Sequence, residues 1–225
     1  MSEHQPDLTW RDGGIPVSTR FDDPYFSLDN GLAETQHVFL AGNDLPARFV
    51  PDFHIAELGF GTGLNLLTAW MAWDEAASEG QLRFTSFEAF PMAAADMELA
   101  LKAFPELERY AKRLVAAYAE DPSLATLEGV NAQMVSGDAR QTLKMMDFEA
   151  DAWFLDGFSP AKNPELWDGD LIKQVGIHTK PGGSAATYTA AGFVRRNLAD
   201  AGFEVSRVSG FGRKRHMTRC WKVAT

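Results

Sequence analysis

The chain has 225 residues, 31 acidic against 21 basic, and a formal charge of −10. A hydrophobic fraction of 45% with 16 Phe and 6 Trp is enough to bury a core, which excludes global disorder; the length suits one large domain, or one domain with a short extension. The single cysteine, Cys220, excludes an intrachain disulfide and any thiolate-rich zinc site, and it fits a reducing, cytoplasmic compartment.

Residues 1–14 are polar, so no secretory signal is expected there. Asp12-Gly13-Gly14, set between Thr9-Trp10 and Ile15-Pro16-Val17, predicts a small hairpin. An aromatic, acidic stretch from Phe21 to Phe26 follows, then a short helix over 31–40. Residues 1–50 therefore read as an N-terminal extension packed on a domain spanning 51–225. The longest uncharged stretch, Leu58 to Trp73, carries three Gly and an Asn and is shorter than the ~20 apolar residues a membrane span needs. It reads as a buried strand–turn–helix, and no membrane partner is expected.

From Phe53 onward, short apolar runs alternate with helical patterns. Strands are expected at 53–58, 82–88, 131–136, 151–155, 183–189, 203–209 and 216–223, with helices at 64–76, 91–104 and 192–201 among those between them. Such alternation implies right-handed crossovers and an α/β fold with a mainly parallel sheet covered on both faces. Only residues 210–215 join the last two strands, too few for a parallel crossover. The seven-stranded sheet should therefore end in an antiparallel hairpin.

The most informative segment is Glu57-Leu58-Gly59-Phe60-Gly61-Thr62-Gly63-Leu64-Asn65. A strand ends, three glycines follow at alternate positions, and a helix begins. Glycine there permits a tight turn and close approach to a ligand, and the helix N-terminus behind it offers free N–H groups. A dinucleotide fingerprint needs a third Gly where Leu64 stands, which disfavours an NAD-dependent dehydrogenase. The pattern E-x-G-x-G-x-G instead resembles motif I of S-adenosylmethionine-dependent methyltransferases. Glu57 would repel a pyrophosphate, whereas a methionine moiety offers an ammonium and a sulfonium. The resemblance implies cofactor contacts from Glu57, Gly59, Phe60, Gly61, Thr62, Gly63 and Asn65. Glu88, ending the second strand, can accept from ribose hydroxyls. Asp138, just past the third, can accept from the adenine amino group, or simply cap the helix that follows. Acids at successive strand ends lie where such sheets bind ligands.

The fourth strand ends at Leu155 and runs on as Asp156-Gly157-Phe158-Ser159-Pro160-Ala161-Lys162-Asn163-Pro164. In methyltransferases this strand end faces the methyl group, which makes Asp156 the catalytic candidate. Phe158 is placed to stack on a planar acceptor and Lys162 to reach an anionic group; a Gly/Pro turn capped by Asp156 is the plainer alternative. These motifs, with Tyr25-Phe26-Ser27, Asn30-Gly31-Leu32, Ser86 to Pro91, Ala191 to Arg196 and Gly210 to Arg215, span about residues 20 to 220. Together they resemble the methyltransferase domains of bifunctional tRNA 5-methylaminomethyl-2-thiouridine biosynthesis proteins.

That resemblance implies a Rossmann-like class I methyltransferase fold, S-adenosyl-L-methionine as cofactor, and methylation of the 5-aminomethyl nitrogen of a modified wobble uridine in the tRNA anticodon loop. A lysine-like amine has a pKa of about 10.4, so a carboxylate such as Asp156 would accept its proton and stabilise the charge developing on nitrogen. Tyr25, Phe26 and Phe158 become stacking candidates, with Asn30 beside them, and Arg195, Arg196, Arg213, Lys214 and Arg215 phosphate candidates. Charge placement is compatible: from Phe203 onward six basic residues face one acid, a local +5 that leaves −15 elsewhere. A solvated edge strand blunted by charge would look the same. The family's FAD-dependent oxidase domain has no counterpart in these residues, so a stand-alone form or a domain cut at its boundary is implied, and an FAD-dependent oxidase partner in trans stays open. No metal is expected, since His4, His37, His54, His178 and His216 show no ligand spacing. Two other readings stay open: a methyltransferase of the same fold acting on a small-molecule amine, and a non-catalytic S-adenosylmethionine- or RNA-binding module.

Overall fold

A computed structural model describes residues 5–27 and 30–223; His4 lies outside them. The first element is a small antiparallel sheet of β1 (Leu8–Arg11), β2 (Ile15–Ser18) and β3 (Asp23–Pro24), turned at Gly13 and Gly14, both in the left-handed region. The helix expected over 31–40 forms as α1 (Gly31–Thr35), capped by the Asn30 side chain, and continues as a π turn through Gln36–Leu40. Ile15, Phe26, Leu32, Val38 and Phe39 from this segment join the same apolar cluster as the main sheet.

That sheet contains β4 (His54–Leu58), β5 (Arg83–Glu88), β6 (Asn131–Ser136), β7 (Ala150–Leu155), β8 (Thr179–Thr187), β9 (Phe203–Ser209) and β10 (His216–Lys222), in the order β6-β5-β4-β7-β8-β10-β9. The first five are parallel, and β10 runs antiparallel to both β8 and β9. The expected hairpin is present, with its second strand inserted between β8 and β9. Burial explains the order: Met217, Thr218 and Cys220 of β10 are buried, whereas Glu204 and Arg207 of β9 are exposed and guard the edge.

Side chains of β4 and β7 alternate between two apolar layers. Ile55 and Phe154 pack toward α2 (Leu64–Glu75), α3 (Ala94–Leu101) and α4 (Glu108–Glu120). Ala56, Leu58, Trp153 and Leu155 pack toward α5 (Ala139–Thr142), α6 (Gly169–Ile177) and α7 (Gly192–Asp200). The chain lays down β4, β5 and β6 in one direction, then returns to place β7 on the other side of β4. Connections therefore diverge above the carboxyl ends of β4 and β7, opening a crevice there.

Two expected elements shift by more than two residues at a boundary. β8 begins at Thr179 and not at 183, because Pro181-Gly182-Gly183 is absorbed as a register shift opposite Ala150 and Ala152 and does not form a turn. The helix expected over 91–104 shortens to α3: Ala93 is extended at its start, and Phe104, preceding Pro105, is held out of the α region. Among the described residues no helix is long and apolar enough to cross a membrane.

Candidate active site

The β4–α2 connection is built on three left-handed glycines, Gly59 (φ 88°), Gly61 (φ 53°) and Gly63 (φ 77°). A Cβ on Gly59 would stand 2.6 Å from the Asp156 carbonyl oxygen, so the loop and the end of β7 touch through backbone alone. A Cβ on Gly63 would meet Leu114 at 2.7 Å, so this glycine serves the packing of α2 on α4. Gly63 caps α2 without a side-chain bond.

The loop borders a cavity of about 1160 Å³ at the carboxyl ends of β4 to β8. Phe60, Thr62, Asn65, Glu88, Asp138, Asp156 and Phe158 all line it. Asn65 holds the centre together: its Nδ2 donates to Asp156 Oδ2 and to Glu57 Oε1, both at 2.8 Å, and its Oδ1 accepts from Thr35 Oγ1 at 3.1 Å. Asp156 Oδ1 accepts from the Gly157 N–H at 2.8 Å. Burial pushes the Asp156 carboxyl up to about 6, against the opposing pull of these two donors. The side chain faces the cavity on the same side as the glycine bend.

Glu57 corrects an expectation. It is fully buried and does not line the cavity: Asn65 and Ser86 Oγ, the latter donating at 2.6 Å, cover its two oxygens. Strand alternation points it, like Ile55, toward α2, and burial raises its pKa. It acts on the cavity through Asn65. Glu88 does face inward, its oxygens accepting from the Gly61 N–H at 3.0 Å and the Phe90 N–H at 2.8 Å. Asp138 takes the capping alternative, accepting from the Arg140 N–H at 2.9 Å and pairing with its guanidinium at 2.6 Å, which lowers its pKa.

The extension forms one wall. Phe21 stacks on Phe158 with centroids 4.7 Å apart, and Tyr25 meets the same ring edge-on at 5.0 Å. Lys162 departs from expectation: it is tied to the Asp22 carbonyl, and to the carboxylates of Asp22 at 3.1 Å and Asp23 at 3.9 Å. It fastens the extension to the loop after β7, with the Ser159 N–H donating to Asp23 Oδ2 at 2.8 Å. Asn30 caps α1 and does not line the cavity, whereas Phe26 does line it, its ring packed edge-on against Phe104. Arg213 and Lys214 stand at the rim; Arg195, Arg196 and Arg215 do not line the cavity, the first two riding on α7. Sequence reasoning missed Phe21, Glu34, Arg140 and Tyr188. Tyr188, just past β8, was findable by the same strand-end logic, whereas Glu34 gave no signal.

A family profile described as S-adenosyl-L-methionine-dependent methyltransferase matches residues 105–223, more than half of the chain. The chain belongs to that family. The tRNA 5-methylaminomethyl-2-thiouridine biosynthesis bifunctional protein MnmC of Stutzerimonas stutzeri is 45% identical over 224 residues, covering 95% of this methyltransferase and 34% of the relative. The protein of the same name from Ectopseudomonas mendocina is 47% identical over 229 residues, covering 95% and 34%. The methyltransferase thus spans about a third of the length of these curated relatives. Among solved structures, the crystal structure of MNMC2 from Aquifex aeolicus superposes with a TM-score of 0.75 at 26% identity, over 97% of this chain and 71% of that one.

The site suits the family's cofactor. Gly59 and Gly61 line the cavity, and a Cβ on either would press on Asp156 or Tyr25, so glycine keeps this loop close against both. Glu88 faces the same cavity with its carboxylate oriented by the Gly61 and Phe90 N–H groups. Among the described residues no group of three or more His, Cys, Asp or Glu is placed to hold a metal ion.

Proposed function

We propose that this methyltransferase acts on the 5-aminomethyl nitrogen of a modified wobble uridine in tRNA, giving the 5-methylaminomethyl product. The observation that carries the reading is Asp156, a partly buried carboxylate held by Asn65 at the tip of β7, facing the cavity that the glycine loop borders. The names of its relatives and the motifs shared with them support the choice of acceptor. S-adenosylmethionine, when bound, supplies an electrophilic methyl group. The loop 59–62 and Asn65 hold its methionine end, Glu88 its ribose, and the turn that Asp138 caps its adenine.

Asp156 then serves the acceptor. With a pKa of about 6 it is ionised at neutral pH, so it can take the proton of the aminomethyl group and favour the positive charge that grows on nitrogen. Asn65 and Gly157 use one position on each oxygen and leave lone pairs free for this. Phe158 and Tyr25 supply aromatic surface for a splayed base, while Arg213 and Arg215 meet anticodon-loop phosphates, with Arg195 and Arg196 further out. A cytoplasmic site of action and an FAD-dependent oxidase partner in trans belong to the same proposal.

Incubation with labelled S-adenosylmethionine and tRNA carrying aminomethyluridine, followed by nucleoside analysis, tests it. Label in methylaminomethyluridine is the expected result. Label in another nucleoside, or transfer only to free small amines, overturns it.

A further inference from the structure

The turn between β9 and β10 folds back over the cavity and inserts Lys214. Its Nζ donates to Glu34 Oε1 at 2.8 Å and stands 4.2 Å from the centre of the Tyr188 ring. Tyr188 is itself fixed, its hydroxyl donating to the Gly157 carbonyl at 2.7 Å and its ring meeting Trp167 edge-on. All three residues line the cavity that holds Asp156, and the charges of Glu34 and Lys214 both act on that carboxylate. A carboxylate and an aromatic face thus converge on a primary ammonium, and the Tyr188 hydroxyl anchors that aromatic face to Gly157, the residue that follows Asp156. That combination is a receptor for alkylammonium ions.

The two partners differ in mobility. The Glu34 side chain is only 13% exposed, and a carboxylate so placed is costly without a cation beside it. The Lys214 side chain is 48% exposed, on a flexible stem that can carry its charge out to water. The acidic member is therefore fixed and the basic member replaceable.

We propose that Glu34 and Tyr188 form the ammonium subsite for the acceptor, and that Lys214 fills it until the substrate's amine displaces it. This rests on the reading of the acceptor as a primary amine. It also gives the site its selectivity: an acceptor with an anionic group in place of the amine meets Glu34 and Asp156 together and is rejected.

Equilibrium binding of 5-aminomethyluridine and of uridine, as free nucleosides with S-adenosylhomocysteine present, tests the subsite. Free nucleosides remove any effect of phosphate contacts, and S-adenosylhomocysteine affinity reports whether each variant is folded. Lys214→Met should tighten 5-aminomethyluridine several-fold by emptying the subsite. Glu34→Gln, and independently Tyr188→Leu, should weaken it by about tenfold. Uridine affinity should move in none of them. If the unmodified protein prefers 5-aminomethyluridine and that preference is unchanged in Glu34→Gln and Lys214→Met, the subsite is wrong while the amine reading stands. If neither the unmodified protein nor Lys214→Met prefers 5-aminomethyluridine over uridine, the amine reading falls and takes the subsite with it.

Discussion

Asn65 donates one amide hydrogen to Asp156 at 2.8 Å, and this bond opposes the burial that raises the Asp156 pKa. Removing the donor should let burial act with less opposition. In Asn65→Ala the acid limb of the kcat/KM profile is expected to move to higher pH, so activity falls more at pH ~6.5 than at pH ~8. The same change leaves Glu57 Oε1 and the Thr35 hydroxyl, both buried, without the Asn65 partner, for a loss of about 1–3 kcal/mol in denaturant unfolding. A mutant that is destabilised but keeps its acid limb in place would show that Asn65 is structural only.

Asp156→Asn is expected to lower kcat by roughly 10²–10⁴-fold while S-adenosylmethionine affinity is retained. Calorimetric titration and single-turnover transfer separate the two effects. Loss of cofactor binding in parallel with turnover would reassign Asp156 to the cofactor.

The raised Asp156 pKa also has a sign for stability. Between the ordinary carboxylate value of 3.8 and about 6, the folded chain binds this proton more tightly than the unfolded chain. The contribution of Asp156 to stability therefore grows as pH falls from about 6 toward 4, and the ionised group opposes folding above that range. Asp156→Asn should flatten this part of the stability profile without a large loss at pH ~7. Urea melts at several pH values measure it, and an unchanged slope through this window would contradict the assignment.

Gly59→Ala places a methyl group 2.6 Å from the Asp156 carbonyl at a φ of 88°. The loop must retreat from β7 or take on strain of about 1–3 kcal/mol. Cofactor affinity is expected to fall at least tenfold, about 1.4 kcal/mol, with the fold retained by circular dichroism. Unaltered affinity would mean that the close seat of this loop on β7 has no role in binding.

Arg213→Ala with Arg215→Ala should raise the KM for tRNA and flatten its dependence on salt, while transfer to the free nucleoside is untouched. Equal effects on tRNA and nucleoside would place these residues in the acceptor pocket itself and not on the phosphate path.

The parts of this site that were legible in the sequence are local ones. The β4–glycine–α2 unit declares itself because strand, bend and helix start lie within a dozen residues, and Glu88 and Asp156 follow because strand ends in a parallel sheet gather on one side. What escaped depends on distant partners. Lys162 looked available to an anion because Asp22 lies 140 positions away, and Lys214 looked like a phosphate contact because Glu34 lies 180 positions away. Glu57 was assigned to the cofactor by motif, but the alternation along β4 turns it to the opposite side, where Asn65 covers it. For Asp138 two roles were readable from the same residues, and the neighbouring Arg140 decides in favour of the cap.

Phe21 and Tyr25 belong to what looks, in linear order, like an appendage, yet both rest on Phe158 inside the cavity. A shortened protein beginning at residue 51 would retain every strand of the large sheet and still be missing one side of its vessel. The cavity would then stand open to bulk solvent, without the ring stack of Phe21 on Phe158. The first fifty residues thus belong to the same core and the same cavity wall as the sheet that follows them.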